Sequence, residues 1–317
     1  MSFSSTTKNE LARIPIEDTC CLLAELAALV RMNGNIRILG RGKLNLRFIT
    51  ENAAIARRIF SILKETYDTE VEILVKRNRQ LKKNNNYTII VNNSNISNKI
   101  LIDVGFIQKT NRSMFNPSYK IKKEIIRKRC CKRSYIRGSF LGGGSISNPE
   151  KTYHLEMVTN NKEHANDLST IVNSFDLNSK VIFRKNNYVV YIKEGKQIAD
   201  ILNIMEAHQA LLKLEDIRVL KDIRNNINRL VNCETANLDK TISASMRQID
   251  DIETIENITG LDKLPNNLKE IARLRLTHRE ASLKEIGQML NPPVGKSGVN
   301  HRFRKIEEIA KDLRGVK

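Results

Sequence analysis

The residues of this chain best able to hold a metal or carry a nucleophile are five cysteines and five histidines. The cysteines form two adjacent pairs, Cys20-Cys21 and Cys130-Cys131, with Cys233 alone; no CxxC occurs. Vicinal cysteines make poor zinc ligands, because neighbouring residues do not readily turn both thiolates to one ion. All five are therefore read as small core residues in a reducing cytosol, and no metal or cofactor is expected. His154, His164, His208, His278 and His301 show neither HxxxH nor HExxH spacing, so a metallohydrolase has no ligand set. Gly142-Gly143-Gly144-Ser145 suggests a phosphate loop, but GxxxxGK[ST] needs a lysine after its last glycine, and Ser145 stands there. Nucleotide binding by that route is rejected.

What remains is the chemistry of positive charge. The 317 residues hold 54 Lys and Arg against 35 Asp and Glu, a net charge of +19. A field of that sign favours polyanions, although heavy Lys, Asn and Ile usage also suits an AT-rich genome. Residues 108–137 carry eleven basic side chains (Lys109, Arg112, Lys120, Lys122, Lys123, Arg127, Lys128, Arg129, Lys132, Arg133 and Arg137) and one acid, Glu124. Such a cluster either binds phosphates without sequence preference or is a solvated linker. Within it, Lys122, Lys123, Arg127, Lys128 and Arg129 are candidate backbone contacts. A second basic group, Lys76, Arg77, Arg79, Lys82 and Lys83, sits between two predicted strands, as a hairpin tip or an ordinary polar loop. No apolar run is long enough to span a membrane, and residues 1–10 do not read as a secretory signal.

The elements that position these residues repeat. With an offset of 110, Cys20, Cys21, Gly34 and Ile36 match Cys130, Cys131, Gly144 and Ile146, and Ala28 matches Gly138. Phe48-Ile49-Thr50 resembles Met157-Val158-Thr159, and each precedes a polar helix start, Asn52 or Asn161. Helices are predicted over about 52–66 and 161–174. Tyr87-Thr88-Ile89-Ile90-Val91 then resembles Tyr188-Val189-Val190-Tyr191-Ile192, and closing helices are placed near 96–107 and 195–212. Each half reads helix, strand, strand, helix, strand, strand, helix. Ala24, Ala27 and Ala28 in the first leading helix, and Ser134, Gly138 and Ser139 in the second, are small residues at helical intervals. Either each small face meets its own sheet, or the two helices meet each other at a pseudo-twofold axis.

The segments Leu26-Ala27-Ala28-Leu29-Val30-Arg31-Met32-Asn33-Gly34 and Ile136-Arg137-Gly138-Ser139-Phe140-Leu141-Gly142-Gly143-Gly144 resemble two degenerate LAGLIDADG motifs. In that homing-endonuclease family, paired motif helices join two αββαββα halves, and the last acid of each motif holds a divalent metal. Here that position is Asn33 in one motif and Gly143 in the other, and no Asp or Glu occurs in 32–50 or 125–148. Hard cations need carboxylates. The expectation is a nuclease scaffold without a catalyst.

Beyond Leu214, Ile217, Leu220, Ile223, Ile227 and Leu230 predict a helix, followed by a linker over 232–237 and a helical segment over about 238–257. A helix-turn-helix pattern follows. Helix one covers about 267–277, with Leu268, Ile271, Ala272 and Leu276 inward. Ser282 and Glu285 form a capping box opening helix two, with Leu283, Ile286 and Leu290 inward. Asn291-Pro292-Pro293-Val294-Gly295 ends that helix. Helix three opens at Lys296-Ser297, runs on through the apolar Val299, Phe303, Ile306 and Ile309, and presents Lys296, Ser297, Asn300, His301, Arg302, Arg304 and Lys305 outward. These seven, with Ser282, are the candidate DNA-binding residues: Arg and Lys bond guanine, Asn bonds adenine, and Ser reaches bases or phosphate. A helical bundle with a merely solvated basic face is the plain alternative.

A duplicated LAGLIDADG-like part followed by a helix-turn-helix resembles the WhiA family of bacterial regulators, over nearly the whole chain. The segments 135–146, 228–237 and 281–293 carry the likeness most specifically. The resemblance implies an α+β chain: a duplicated αββαββα LAGLIDADG-like domain, then an all-α helix-turn-helix domain similar to the promoter-reading region of sigma factors. The domains expected are a first half over 1–108, a basic linker over 109–128, a second half over 129–214, a connecting helix and linker over 215–237, and a helix-turn-helix domain over 238–317. The resemblance further implies a non-enzymatic, sequence-specific transcriptional regulator of cell division, chromosome segregation and, in some hosts, sporulation. Expected partners are double-stranded DNA and RNA polymerase or a sigma factor, at the cytoplasmic nucleoid and not at a membrane. Competing readings are an active homing endonuclease, an RNA maturase, and an N-terminal part that serves only as a protein scaffold.

Overall fold

The first element precedes the repeat, in residues for which the sequence predicts no helix or strand. Ser2 accepts a hydrogen bond from the Ser5 amide and opens α1 (Phe3–Leu11). Phe3, Thr7 and Leu11 recur every four residues and are all buried, which is one apolar helix face. The structure is a computed structural model describing residues 2–15, 18–39, 43–77, 85–107 and 117–315. It divides into two compact units, Met1–Lys221 and Asp222–Lys317.

In the first unit the repeat is explicit. The first half runs α2 (Thr19–Asn33), β1 (Gly34–Ile38), β2 (Leu44–Thr50), α3 (Ala53–Tyr67), β3 (Glu72–Arg77), β4 (Asn85–Val91) and α4 (Ser94–Asp103). The second runs α5 (Arg129–Gly143), β5 (Gly144–Ile146), β6 (Leu155–Thr159), α6 (Lys162–Asn173), β7 (Lys180–Arg184), β8 (Asn187–Ile192) and α7 (Gly195–Met205). Both sheets are antiparallel with the same order, β1-β2-β4-β3 and β5-β6-β8-β7. Their registers correspond: Leu46 faces Val91 in one, and Leu155 faces Ile192 in the other. Asn52 and Asn161 cap α3 and α6 with their side-chain oxygens, as their polar type predicts. Alternation turns Leu44, Leu46 and Phe48, and in the partner sheet Leu155 and Met157, into a shared core.

The small faces of α2 and α5 meet each other, which decides between the two readings above. A Cβ on Gly138 would lie 2.6 Å from the Glu25 carbonyl oxygen and 3.0 Å from the Ala28 methyl. At that approach only glycine fits. The same seam buries charge. Glu25 is fully buried and receives the Arg58 guanidinium in two bonds of 2.7 and 3.1 Å. Arg137, also buried, lies 3.6 Å from Glu25 and 3.0 Å from Glu206. Arg31 crosses from α2 to donate to the carbonyls of Ala27, Val104, Gly105, Tyr119 and Lys120. It thereby ties down the chain between the halves, where Ile121 and Ile125 are buried. Residues 117–128 are thus a packed connection. Lys109 and Arg112 lie outside the described residues.

The cysteine reading needs correction. Cys21 and Cys131 are buried, Cys20 and Cys130 are half-buried, and Cys233 is exposed rather than in a core. Because both pairs stand at the start of the two paired helices, their four sulfurs converge within 4.8 Å of one another. The spacing along the chain conceals a meeting that only the helix pair creates.

The helix expected over 195–212 ends at Glu206, which adopts a left-handed conformation (φ 71°). A new helix, α8 (His208–Ile258), begins two residues later and is unbroken, so 232–237 are helical and not a linker. Residues 208–258 contain no Gly or Pro, and weak helix formers such as Asn and Thr do not stop a helix by themselves. In the second unit, Ile252 and Ile255 of α8 pack with α9 (Asn266–Thr277), α10 (Leu283–Met289) and α11 (Lys296–Leu313). Among the described residues no helix is long and apolar enough to cross a membrane.

Two outcomes follow from this packing. Gly138→Val should lower unfolding free energy by about 2–3 kcal/mol in urea titrations, since neither backbone can recede. Gly295→Ala, with nothing within 4 Å of the new methyl, should cost far less. The second concerns His164, buried between the Tyr135 hydroxyl (2.9 Å from Nε2) and the Thr159 hydroxyl (3.1 Å from Nδ1). Burial, reinforced by the charge of Arg31, holds its imidazole down to about 3. Below about pH 6.5 the unfolded chain takes a proton that the folded one refuses. Stability should therefore fall on acidification by about 1.4 kcal/mol per pH unit from this group. His164→Gln should flatten that slope by about one proton in urea midpoints measured at pH 7 and pH 5.

Candidate nucleic-acid interface

The helix-turn-helix geometry rests on one side chain that the sequence reading passed over. Arg275 is only 1 % exposed and occupies the inward position next to the expected Leu276, which is half-buried. Its guanidinium lies 5.3 Å from the Phe303 ring centroid. Its Nη1 donates to the carbonyls of Ala281 (2.6 Å), Arg279 (3.3 Å) and His278 (3.4 Å). One residue of α9 thus fixes the loop that enters α10 and stacks on α11. The available signal was its place among Leu268, Ile271 and Ala272 at helical spacing; its charge concealed it.

Ser282 caps α10. Its hydroxyl accepts from the Glu285 amide at 3.3 Å, and the Glu285 carboxylate accepts from the Ser282 amide at 2.7 Å. The Ser282 amide, and secondarily the Ser282 hydroxyl, hold the Glu285 carboxyl below its ordinary range. Gly287 lets the next turn fold back, because a Cβ there would strike the Val294 carbonyl. The Val294 amide donates to the Gly287 carbonyl at 2.8 Å. Val299, Phe303, Ile306 and Ala310 then seat α11.

This seating decides which polar residues are presented together. At about 100° per residue, Lys296, Ser297, Asn300, His301 and Arg304 fall within an arc of about 140° on α11. Lys296, Ser297, His301, Arg304 and Lys305 are exposed, while Asn300 is half-buried. Asn300 and Arg304 border a groove shared with Arg247, Gln248 and Asp251 of α8. Arg302 is turned to the other flank, its Nη1 3.5 Å from the Asn267 carbonyl. The N-cap of α11 is Gly295, which has no side chain to bond the first amides of this helix. A helix N-terminus of that kind accepts phosphate.

In the first unit, the positions that correspond to a LAGLIDADG acid are Asn33, ending α2, and Gly143, ending α5. A Cβ on Gly143 would lie 2.7 Å from the Val158 carbonyl and 2.5 Å from the Met32 methyl. The Asn33 Oδ1 is buried without a hydrogen-bond partner. One neutral oxygen opposite a filled glycine is no cradle for a hard cation. The outer faces of the sheets mix charge with exposed apolar side chains, including Ile49, Leu74 and Ile182. Lys122, Lys123, Arg127, Lys128 and Arg129 are all exposed on the connection between the halves and the start of α5. Two of them also have internal duties: Arg129 lies over the Phe175 ring, and the Lys122 stem covers Gly105. Lys76 and Arg77 end β3 and are exposed; Arg79, Lys82 and Lys83 lie outside the described residues.

Comparison with known proteins agrees with this organisation. Family models match residues 19–107 (WhiA N-terminal LAGLIDADG-like domain), 132–224 (WhiA LAGLIDADG-like domain) and 227–310 (WhiA C-terminal HTH domain). The chain is 56% identical over 315 residues to a protein of Alkaliphilus metalliredigens named probable cell division protein WhiA, covering 99% of each chain. It is 57% identical over 314 residues to a protein of the same name in Thermoanaerobacter pseudethanolicus, covering 99% of this chain and 98% of that one. Among solved structures it is similar to full-length DUF199/WhiA from Thermatoga maritima, with TM-score 0.59, 26% identity and 98% and 99% of the two chains covered.

The local geometry sets two expectations for hydrogen exchange in the full chain. Ser282→Ala should destabilise the start of α10 by about 1 kcal/mol through loss of the cap alone. Arg275→Met should loosen α9, α10 and α11 together by about 2–3 kcal/mol, because it strips three charged, part-buried hydrogen bonds from the loop that joins α9 to α10.

Proposed function

This chain belongs to the WhiA family, and on that premise we propose that it is a sequence-specific DNA-binding regulator acting in cell division. The observation that carries the reading is the presented face of α11. Lys296, Ser297, Asn300, His301 and Arg304 stand together toward the N-terminal end of α11, the third helix of the pattern, which is the end that enters a major groove. From 296 to 306 the helix contains no acid. Asn300 and Arg304 supply base-edge bonds, to adenine and guanine respectively, and Lys296, Ser297 and Lys305 hold phosphates. Arg302, turned toward Asn267, serves the motif's internal geometry or a flanking phosphate.

The LAGLIDADG-like unit serves as a scaffold without strand cleavage. Supporting this, the two acid positions hold Asn33 and Gly143, and the space beside Gly143 is filled. The exposed lysines and arginines of 122–129 add backbone affinity. Action at promoters, through RNA polymerase or a sigma factor, and effects on chromosome segregation or sporulation belong to the same reading. So does a location at the nucleoid.

Selection of the full chain on a randomised duplex library, at near-physiological salt with Mg²⁺, tests this directly. One enriched short motif on intact DNA is expected. Asn300→Ala should then relax one position of that motif, at a cost of about 1–3 kcal/mol for the cognate site. Lys296→Ala should weaken all sequences about equally and reduce the salt slope by about one. Strand breaks would overturn the scaffold assignment, and tighter binding to structured RNA would overturn the DNA assignment.

A further inference from the structure

The two cysteine pairs are the densest group of soft ligands among the described residues, and neither the helix-turn-helix nor the motif ends use them. Their four sulfurs lie within 4.8 Å of one another. Within one pair, the Cys130 and Cys131 sulfurs are 4.0 Å apart. Zinc–sulfur bonds of about 2.3 Å place the sulfurs of a tetrahedral zinc site about 3.8 Å apart. Side-chain adjustments of about an ångström or less therefore close the set around one ion. A polynuclear iron–sulfur cluster needs its cysteines spread around several irons, and sulfurs this close enclose a single ion. Four thiolates around one ion are the ligand set of a structural zinc, with no open position for chemistry.

The surroundings suit the charge such a centre carries. Four thiolates on Zn²⁺ leave a net charge of −2. Both pairs sit in the first turns of their helices, where the helix dipole is positive. Neither N-cap side chain, Asp18 nor Lys128, bonds its own helix. The Lys128 ammonium lies 3.8 Å from the Cys20 sulfur. Cys21 and Cys130 also line a cleft of about 270 Å³, bordered by the basic Arg133 and Arg137 and the acidic Asp18 and Glu206, which gives an ion a path inward.

We propose that Cys20, Cys21, Cys130 and Cys131 form a closed tetrathiolate site for one Zn²⁺ ion, stapling the starts of the two paired helices. Four thiols lose four protons to solvent as the ion binds, and no electron transfer is involved. Each half contributes two ligands, so the ion links the halves at the end of the helix pair remote from Asn33 and Gly143. The site is independent of DNA recognition by α11.

The test uses the full chain, purified under reducing conditions without chelator and analysed for bound metal, then stripped and titrated with Co²⁺. One zinc per chain is expected. With Co²⁺, strong near-ultraviolet thiolate charge-transfer bands and the visible bands of a tetrahedral tetrathiolate should saturate at one equivalent, and Zn²⁺ should abolish them. Cys20→Ser and Cys131→Ser should lose this spectrum, while Cys233→Ser keeps it. Chelation should lower the unfolding temperature of the unmodified chain and leave that of Cys20→Ser unchanged. Should Cys131→Ser fail to fold, the half-buried Cys130→Ser and the unmodified chain's own titration still decide. The proposal is overturned by a Co²⁺ spectrum that is absent or unaffected by Cys20→Ser or Cys130→Ser. Iron in place of zinc overturns it too, as does an isolated metal-free chain whose pairs close into disulfides under mild oxidant and resist zinc when reduced.

Discussion

Where α2 passes α5, the absence of a side chain on Gly138 allows the Glu25 carbonyl and the Ala28 methyl to come into direct contact with the opposing backbone. That approach governs much else in the first unit. Helices this close leave no room for large side chains, hence Ala24, Ala27 and Ala28 against Ser134, Gly138 and Ser139. It also fixes where other groups meet. The ends of the two helices bring Asn33 near Gly142 and Gly143, and their starts bring four cysteines to one point. A change at the seam therefore reaches both ends.

The seam also holds charge that would be costly if unpaired. Glu25 is removed from water, and its two oxygens are met by Arg58, with Arg137 beside them. Replacement of such a group by a well-packed apolar one is often neutral, whereas loss of one partner is not. Its effect here is to specify: a helix pair slipped by one turn would part Glu25 from Arg137 of α5. Arg31 has a comparable role toward the connection between the halves, satisfying the carbonyls of Val104, Gly105, Tyr119 and Lys120 that a non-repetitive segment would otherwise leave unpaired.

The second unit solves the positioning problem by similar means at smaller scale. Arg275, stacked on Phe303 and bonded to the loop before Ser282, fixes three short helices that have too little apolar area to define a single arrangement alone. The basic face of α11 is thereby held by a rigid support, which is what the proposed recognition of base edges requires: bidentate bonds tolerate little angular error. Buried arginines that donate to carbonyls thus recur in both units. Other arginines and lysines remain on the surface, so net charge overstates what is free for phosphate.

Periodicity and spacing determined a good deal. The αββαββα repeat was legible because strand alternation and helix capping are local, and Asn52 and Asn161 cap as their type dictates. The capping box at Ser282 and the inward set Val299, Phe303 and Ile306 were legible for the same reason. The loss of both motif acids was also plain, since a missing carboxylate needs no coordinates. Other features were decided by tertiary structure. The break expected over 232–237 does not occur, because polar composition alone does not end a helix that lacks Gly and Pro. The burial of Arg275 and Glu25 was not legible, since burial of a charge depends on partners distant in the chain. Arg302 and Asn300 diverge from the other outward residues of α11 because only packing against α8 and α9 sets the helix rotation. The cysteine pairs, 110 residues apart and unpromising as ligands by local spacing, converge only once two helices lie side by side. Local chemistry is written in neighbouring residues; a site assembled across a helix pair exists only when the pair has formed.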